Sequence, residues 1–217
     1  KATGKRRTYP NAISREGLRG QEFNAWSIEN GNPPEHLTIV PFTRMLGGPI
    51  DFTPGVFNIK MSPYRDGTGK QVNTTIAHQL GLYVVIYSPI QMAADLIEHY
   101  DEQPAFQFIR DVGVDWEQSK VLSGEIGEHI VMARQERKSM NWFVGGVADE
   151  NGKSVSVLFD FLQDGVEYNA SIYRDAKDAH WNDNPTAVTI EEKVIKKGDQ
   201  LTFDMRPGGG FAVSLIQ

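Results

Sequence analysis

The spacing of apolar positions changes near residue 115 of this 217-residue chain. Beyond that point the apolar runs are short and alternating. Val155, Val157, Phe159 and Phe161 fall at every second position, the mark of a strand with one buried face. The same pattern predicts strands over 119–126, 128–136, 141–148, 154–162, 168–175, 187–195, 200–205 and 211–216. Asp149-Glu150-Asn151-Gly152 and Lys197-Gly198-Asp199 supply hairpin turns. About eight short strands at this spacing predict an antiparallel β-sandwich.

Before residue 115 the order is strand, helix, strand, helix. A strand is expected over 9–15 and a polar connection over 25–32. A helical pattern then runs from Glu35 to about Leu46, entered through Pro33-Pro34 and stopped by Gly47-Gly48, with Pro41 set to kink it. A short strand over 49–52 ends at Thr53-Pro54-Gly55, and a long polar loop follows over 57–72. The apolar stretch 74–87 reads as a helix, Ser88-Pro89 interrupts it, and further helical pieces are expected over 90–100 and 104–112. This order is that of βα units on a parallel sheet. The fold class is therefore α/β plus all-β, divided into residues 1–114 and 115–217. The second part is expected to fold by itself. The first is expected to leave helix 74–87 exposed at Leu80, Leu82, Val84, Val85 and Ile86.

Composition narrows the class of partner. With 22 Lys+Arg against 28 Asp+Glu the chain lacks the basic surface of a nucleic-acid binder. Arg6, Arg7, Arg15 and Arg19 form the early basic cluster, suited to neutralising nearby carboxylates. There is no cysteine, so thiolate metal sites and disulfides are excluded. No stretch approaches the roughly 18 apolar residues of a membrane helix. No signal peptide is present, and Lys1-Ala2-Thr3-Gly4 reads as the middle of a protein, so the chain is expected to be a C-terminal fragment.

The stretch with most chemistry is Tyr9-Pro10-Asn11-Ala12-Ile13-Ser14-Arg15-Glu16-Gly17-Leu18-Arg19-Gly20-Gln21-Glu22-Phe23. Its glycines permit sharp turns and close approach of a ligand. Glu16 and Glu22, placed there, suit a hard cation or acid–base work. The plainer reading pairs Glu16 with Arg15 or Arg19. In a (β/α)8 barrel the loops after the strands carry the active site, and Glu16, Glu22 and the loop after Asp51 hold such positions. Asp51 divides evenly between lining a site and holding its loop. Glu35 and His36 begin a helix, and His78 on an apolar helix reads as a packing histidine. Trp142, Tyr173 and Trp181 suit sugar stacking, core or rim. Gly208-Gly209-Gly210 lacks the Lys-Ser/Thr of a phosphate loop and reads as a hairpin turn.

Together with that stretch, Thr3-Gly4-Lys5-Arg6-Arg7-Thr8, Pro33-Pro34-Glu35-His36, Gly48-Pro49-Ile50-Asp51-Phe52-Thr53-Pro54-Gly55, His78-Gln79-Leu80-Gly81-Leu82-Tyr83-Val84-Val85 and Pro207-Gly208-Gly209-Gly210-Phe211 closely resemble, in this order, the C-terminal part of glycoside hydrolase family 97. The resemblance runs over the whole chain and covers well under half of a typical member. It implies the last two βα units of a TIM barrel, (β/α)8, followed by a C-terminal antiparallel β-sandwich. It implies a calcium-dependent α-glucosidase or α-galactosidase acting on an oligosaccharide. Glu16 would bind Ca2+, and Glu22 would be the catalytic acid beside the same metal shell. The nucleophile or base, and the remaining N-terminal part of the enzyme, lie outside this chain. Ser14 stands where the family often has Asn before Arg-Glu-Gly. The resemblance also implies a periplasmic or secreted enzyme. The alternative is a carbohydrate-binding or structural β-sandwich module without activity of its own.

Overall fold

Strands form where the alternation predicts them. The computed structural model describes residues 5–27, 31–61 and 70–217. Its strands are β1 (Trp116–Glu125), β2 (His129–Glu136), β3 (Trp142–Ala148), β4 (Lys153–Leu158), β5 (Glu167–Asp175), β6 (Val188–Lys196), β7 (Gln200–Met205) and β8 (Gly210–Ile216). Six make one sheet in the order β1-β2-β3-β8-β5-β6, and β4 pairs with β7 in a second. Every pairing is antiparallel.

Alternation gives the large sheet two apolar faces. Val131, Ala133, Trp142, Val144, Tyr168, Ala170, Phe211, Val213 and Leu215 share one core with Val155, Val157, Phe203 and Met205 of the small sheet. Phe203 stacks on Phe211 with centroids 3.8 Å apart, joining the two sheets. A Cβ on Gly146 would strike the Phe211 ring, so the glycine makes room for that stack. Ile130, Met132, Phe143, Val147, Tyr173 and Ala212 face the other way and share a core with residues before 115.

The helices are α1 (Lys5–Thr8), α2 (Phe23–Trp26), α3 (Pro34–Ile39), α4 (Ile76–Val85) and α5 (Phe106–Asp111). The expected exposure of the apolar helix is overturned. All ten residues of α4 are buried, as a helix that is apolar all round must be. Gly81 lets it lie against the sheet backbone. A Cβ there would sit 2.7 Å from the Gly146 carbonyl, and one on Gly145 would sit 2.6 Å from the Gly81 carbonyl. On its other sides Ile50, Phe52, Val56 and Phe108 belong to the same core.

Both ends of α4 are clasped by the β region. At the start, Thr75 caps the helix by accepting from the His78 N–H at 3.1 Å, and donates to Asp175 at 2.7 Å. At the end, Arg134 donates to the Val84 carbonyl at 2.6 Å. A carboxylate at the start and a guanidinium at the end both complement the helix dipole.

The remaining early elements are smaller than expected. Instead of strands over 9–15 and 49–52 there is one parallel bridge, Arg15 to Ile50. Those segments have no wider sheet to pair with among the described residues. The helix expected to Leu46 changes at Val40 into 3-10 turns over Val40–Phe42 and Arg44–Gly47, because Pro41 offers no N–H. The helix expected over 90–100 is a 3-10 turn at Ile97–His99. Asp95 takes the backbone there: it accepts from Phe57 N and Asn58 N, each at 2.7 Å, and from Leu96 N at 2.9 Å. Of the long polar loop expected over 57–72, residues 62–69 lie outside the described residues.

Candidate active site

The loop after the Arg15–Ile50 bridge is held by side chains. Arg44 donates to the carbonyls of Arg15 and Glu16, both at 2.8 Å. Gly17 has φ +125, and a Cβ there would press on the Arg44 guanidinium at 3.0 Å, so both its backbone and its lack of a side chain matter. The Glu16 side chain is exposed. Among the described residues it pairs with neither Arg15 nor Arg19. Arg19 lies over the Phe23 ring at 4.6 Å.

Glu22 precedes α2, and its carboxylate folds back over Gly20. A Cβ on Gly20 would occupy the space of that carboxylate and of the Thr53 hydroxyl. The Thr53 hydroxyl donates to Glu22 and accepts from Gln21 N at 3.0 Å. Beneath lies a set of buried amides. Asn24 donates to the Gln21 carbonyl at 2.7 Å and to its side-chain oxygen at 2.9 Å. Asn32 N donates to the Asn24 side chain at 2.8 Å, and the Asn32 amide donates to the Gly20 carbonyl at 3.0 Å. Asn73 donates to the Asn32 carbonyl at 3.0 Å. The 25–32 stretch, read from sequence as a plain connection, thus supplies part of the support for Glu22. Asparagines at 24 and 32 beside loop glycines were the available signal.

Asp51 donates its N–H to the Arg15 carbonyl at 3.0 Å, which puts it beside the bridge. Its Oδ1 is buried without a partner among the described residues. Such an orphan acceptor calls for a donor or a cation. Among the described residues no three His, Cys, Asp or Glu converge as a metal shell. Glu16, Glu22 and Asp51 offer the oxygen donors calcium prefers, and make at most part of a ligand set.

Other sequence candidates separate from this loop. Glu35 is exposed and lies 3.5 Å from where a Cβ on Gly127 would sit. His36 is held below its ordinary value, first by burial and then by the Arg19 charge. His78 is fully buried and its Nδ1 donates to the Gly209 carbonyl at 3.1 Å. Burial pulls its pKa to about 3, as a packing histidine requires. Trp142 and Tyr173 lie in the core. Gly208–Gly210 is the β7–β8 turn, where Asp175 accepts from Arg206 N at 2.9 Å and Gly210 N at 2.8 Å. Burial pushes Asp175 up to about 7 against those bonds. Trp181 is partly exposed on the β5–β6 loop.

Residues 115–216 match the family described as Glycosyl-hydrolase 97 C-terminal, oligomerisation. The chain belongs to glycoside hydrolase family 97. It is 35% identical over 218 aligned residues to a retaining α-galactosidase of Bacteroides thetaiotaomicron, covering 99% of this chain and 32% of that protein. It is 31% identical to a probable retaining α-galactosidase of Streptomyces bingchenggensis, covering 96% of this chain and 29% of that protein. A family 97 enzyme of Pseudoalteromonas sp. strain K8 is 48% identical and superposes with a TM-score of 0.92, over 98% of this chain and 33% of that one. It has been solved with panose and with acarbose. The chain thus spans about a third of the length of the relatives it matches. Among the described residues no helix is long and apolar enough to cross a membrane.

Proposed function

We propose that this chain is the C-terminal part of a calcium-dependent α-glycosidase in which Glu22 is the general acid. The observation that carries the reading is the Glu22 carboxylate, folded over Gly20 and met by the Thr53 hydroxyl. In hydrolysis Glu22 hands its proton to the glycosidic oxygen as the bond to the sugar carbon breaks. A second carboxylate, from elsewhere in the enzyme, attacks that carbon or activates water against it. Residues 1–114 then complete a (β/α)8 barrel, of which the Arg15–Ile50 bridge is the parallel trace. Residues 115–217 form its β-sandwich. The substrate is an α-glucoside or an α-galactoside: the enzyme solved with panose supports the first, and the two α-galactosidase relatives support the second. The enzyme is exported, to the periplasm or beyond.

Glu16 and Glu22, with Asp51 behind them, would hold calcium together with ligands from the rest of the enzyme. Bound calcium supplies a fixed positive charge for the sugar hydroxyls. The match of residues 115–216 to a C-terminal oligomerisation family also supports self-association. The large sheet ends in β1 and β6, where Val121, Ile190 and Val194 are exposed, and open edges favour pairing.

The test is Glu22→Gln in the intact enzyme. Turnover of oligosaccharides, which have poor leaving groups, is expected to fall by about 10²-fold or more, and turnover of an activated aryl α-glycoside by much less. Equal loss on both substrates would contradict an acid role. In parallel, Glu16→Gln is expected to raise the calcium concentration needed for activity.

A further inference from the structure

The β5–β6 loop carries an aromatic pair that the chemistry at Glu22 leaves unused. His180 and Trp181 stack with centroids 5.9 Å apart and planes 24° from parallel. The loop is built to hold them. His180 and Asn184 form an antiparallel bridge, and Trp181 N donates to the Pro207 carbonyl at 3.1 Å. Trp181 packs over Gly208, where a Cβ would meet its Cγ at 2.9 Å. The His180 Nδ1 accepts from Asn182 N at 3.1 Å and Asp183 N at 3.4 Å. A ring nitrogen that accepts carries no proton, which leaves the ring N–H on Nε2. Asn182 and Asp183 are exposed beside it.

Segment 70–73 joins this loop to the Glu22 loop. On one side, Gln71 donates to the Trp181 carbonyl at 3.4 Å, and Lys60, bridged to Gln71, donates to the Asp183 carbonyl at 3.4 Å. On the other, the Lys70 ammonium donates to the Ser27 carbonyl, and Asn73 holds Asn32, which holds Gly20. A chain of hydrogen bonds through segment 70–73 therefore ties the loop of the aromatic pair to the loop that carries Glu22. Sugar recognition combines an aromatic surface for the C–H face of a pyranose with donors and acceptors for its hydroxyls. Trp181, the His180 Nε2–H, the Asn182 amide and the Asp183 carboxylate supply both kinds of group.

We propose that His180 and Trp181 form an outer subsite that holds a sugar unit of an α-linked oligosaccharide beyond the two flanking the bond presented to Glu22. The proposal rests on the reading of Glu22 as the acid. It is tested in the intact enzyme with Trp181→Leu and His180→Asn. Asparagine keeps an acceptor for the two loop N–H groups while removing the ring, so it decides the question if the leucine variant folds poorly. KM for panose and maltotetraose is expected to rise about three- to tenfold, the range set by aromatic contacts. Both kinetic constants for a nitrophenyl α-glucoside should stay unchanged. An equal KM change on both substrate classes, or none on either, would overturn the subsite. Panose binding by tryptophan fluorescence in the Glu22→Gln enzyme needs no turnover. Weaker binding when Trp181→Leu or His180→Asn is added supports the subsite whether or not Glu22 is the acid, and unchanged binding overturns it.

Discussion

Two regions of this molecule satisfy their backbones differently. From Trp116 on, strand pairs do it, in antiparallel ladders that shift register twice between β1 and β2 and run regularly in the others. Before residue 115, side chains do much of it. Arg44 holds the Glu16 loop, Asn24 and Asn32 hold the Glu22 loop, and Asp95 holds residues 57–58. Gln79 reaches out of α4 to Gly55 N at 2.9 Å. A ladder fixes a surface, whereas side-chain bonds fix individual loops in irregular shapes, which is what a site needs. Helix α4 crosses this division. It precedes residue 115 in sequence, yet the β region clasps both its ends and closes over its glycine.

The sharpest way to break the comparison is to cut it. A chain starting at Val114 uncovers the sheet face bearing Ile130, Met132, Phe143 and Val147. It should fail to unfold cooperatively in denaturant, and should aggregate. A chain starting at Asn73 keeps α4 and should retain a cooperative transition. Similar behaviour of the two would show that α4 is dispensable to the sheet.

A smaller insult is Gly145→Val, whose Cβ would press on the Gly81 carbonyl at 2.6 Å and the Val84 Cβ at 2.7 Å. Overpacking of this kind should cost about 3 kcal/mol in denaturant unfolding. Gly165→Ala is the contrast. Its position has φ +74 but open space around it, so only backbone strain is added, roughly 1 kcal/mol.

Smaller again is an effect of pH at the clasp. Burial pushes the Asp175 carboxyl up to about 7 in the folded state, against 3.8 for a free one. Between those values the folded state binds the extra proton, so this group lowers stability as pH rises. His78 has a folded pKa of about 3 against 6.5. There the unfolded state binds the extra proton, so this group raises stability as pH rises. Between pH 4 and 6.5 the two slopes oppose. Relative to the unaltered protein, Asp175→Asn should make stability climb with pH over that window. His78→Gln should make it fall. Each difference is at most about 1.4 kcal/mol per pH unit. Superimposable stability–pH curves would remove both groups from the account.

How much was legible in the sequence follows the same division. The eight strands were readable to within a few residues at each end, β4 stopping earliest, because a period of two is a local property. The loop that carries Glu22 was readable as a turn from Gly17 and Gly20. The Glu22 partner Thr53 is 31 positions away, and nothing local marks the pair. The burial of α4 was not readable either, since apolarity says that a helix is covered but not by what. Gly145-Gly146 inside a strand was a usable sign of close backbone approach. Of the strands expected at 9–15 and 49–52, only Arg15 and Ile50 pair among the described residues, and the local pattern could not say so.

The central claim is that side chains before residue 115 aim Glu22 while α4 and the sheet only carry them. Thr53→Val in the intact enzyme tests it most directly, because it removes the hydroxyl that meets Glu22 and keeps the side chain's shape. Measured on an oligosaccharide, kcat should fall by about 10- to 100-fold, as misplacement of a catalytic group implies, with the unfolding midpoint unchanged. A lowered midpoint with full activity in the remaining folded enzyme would contradict the claim.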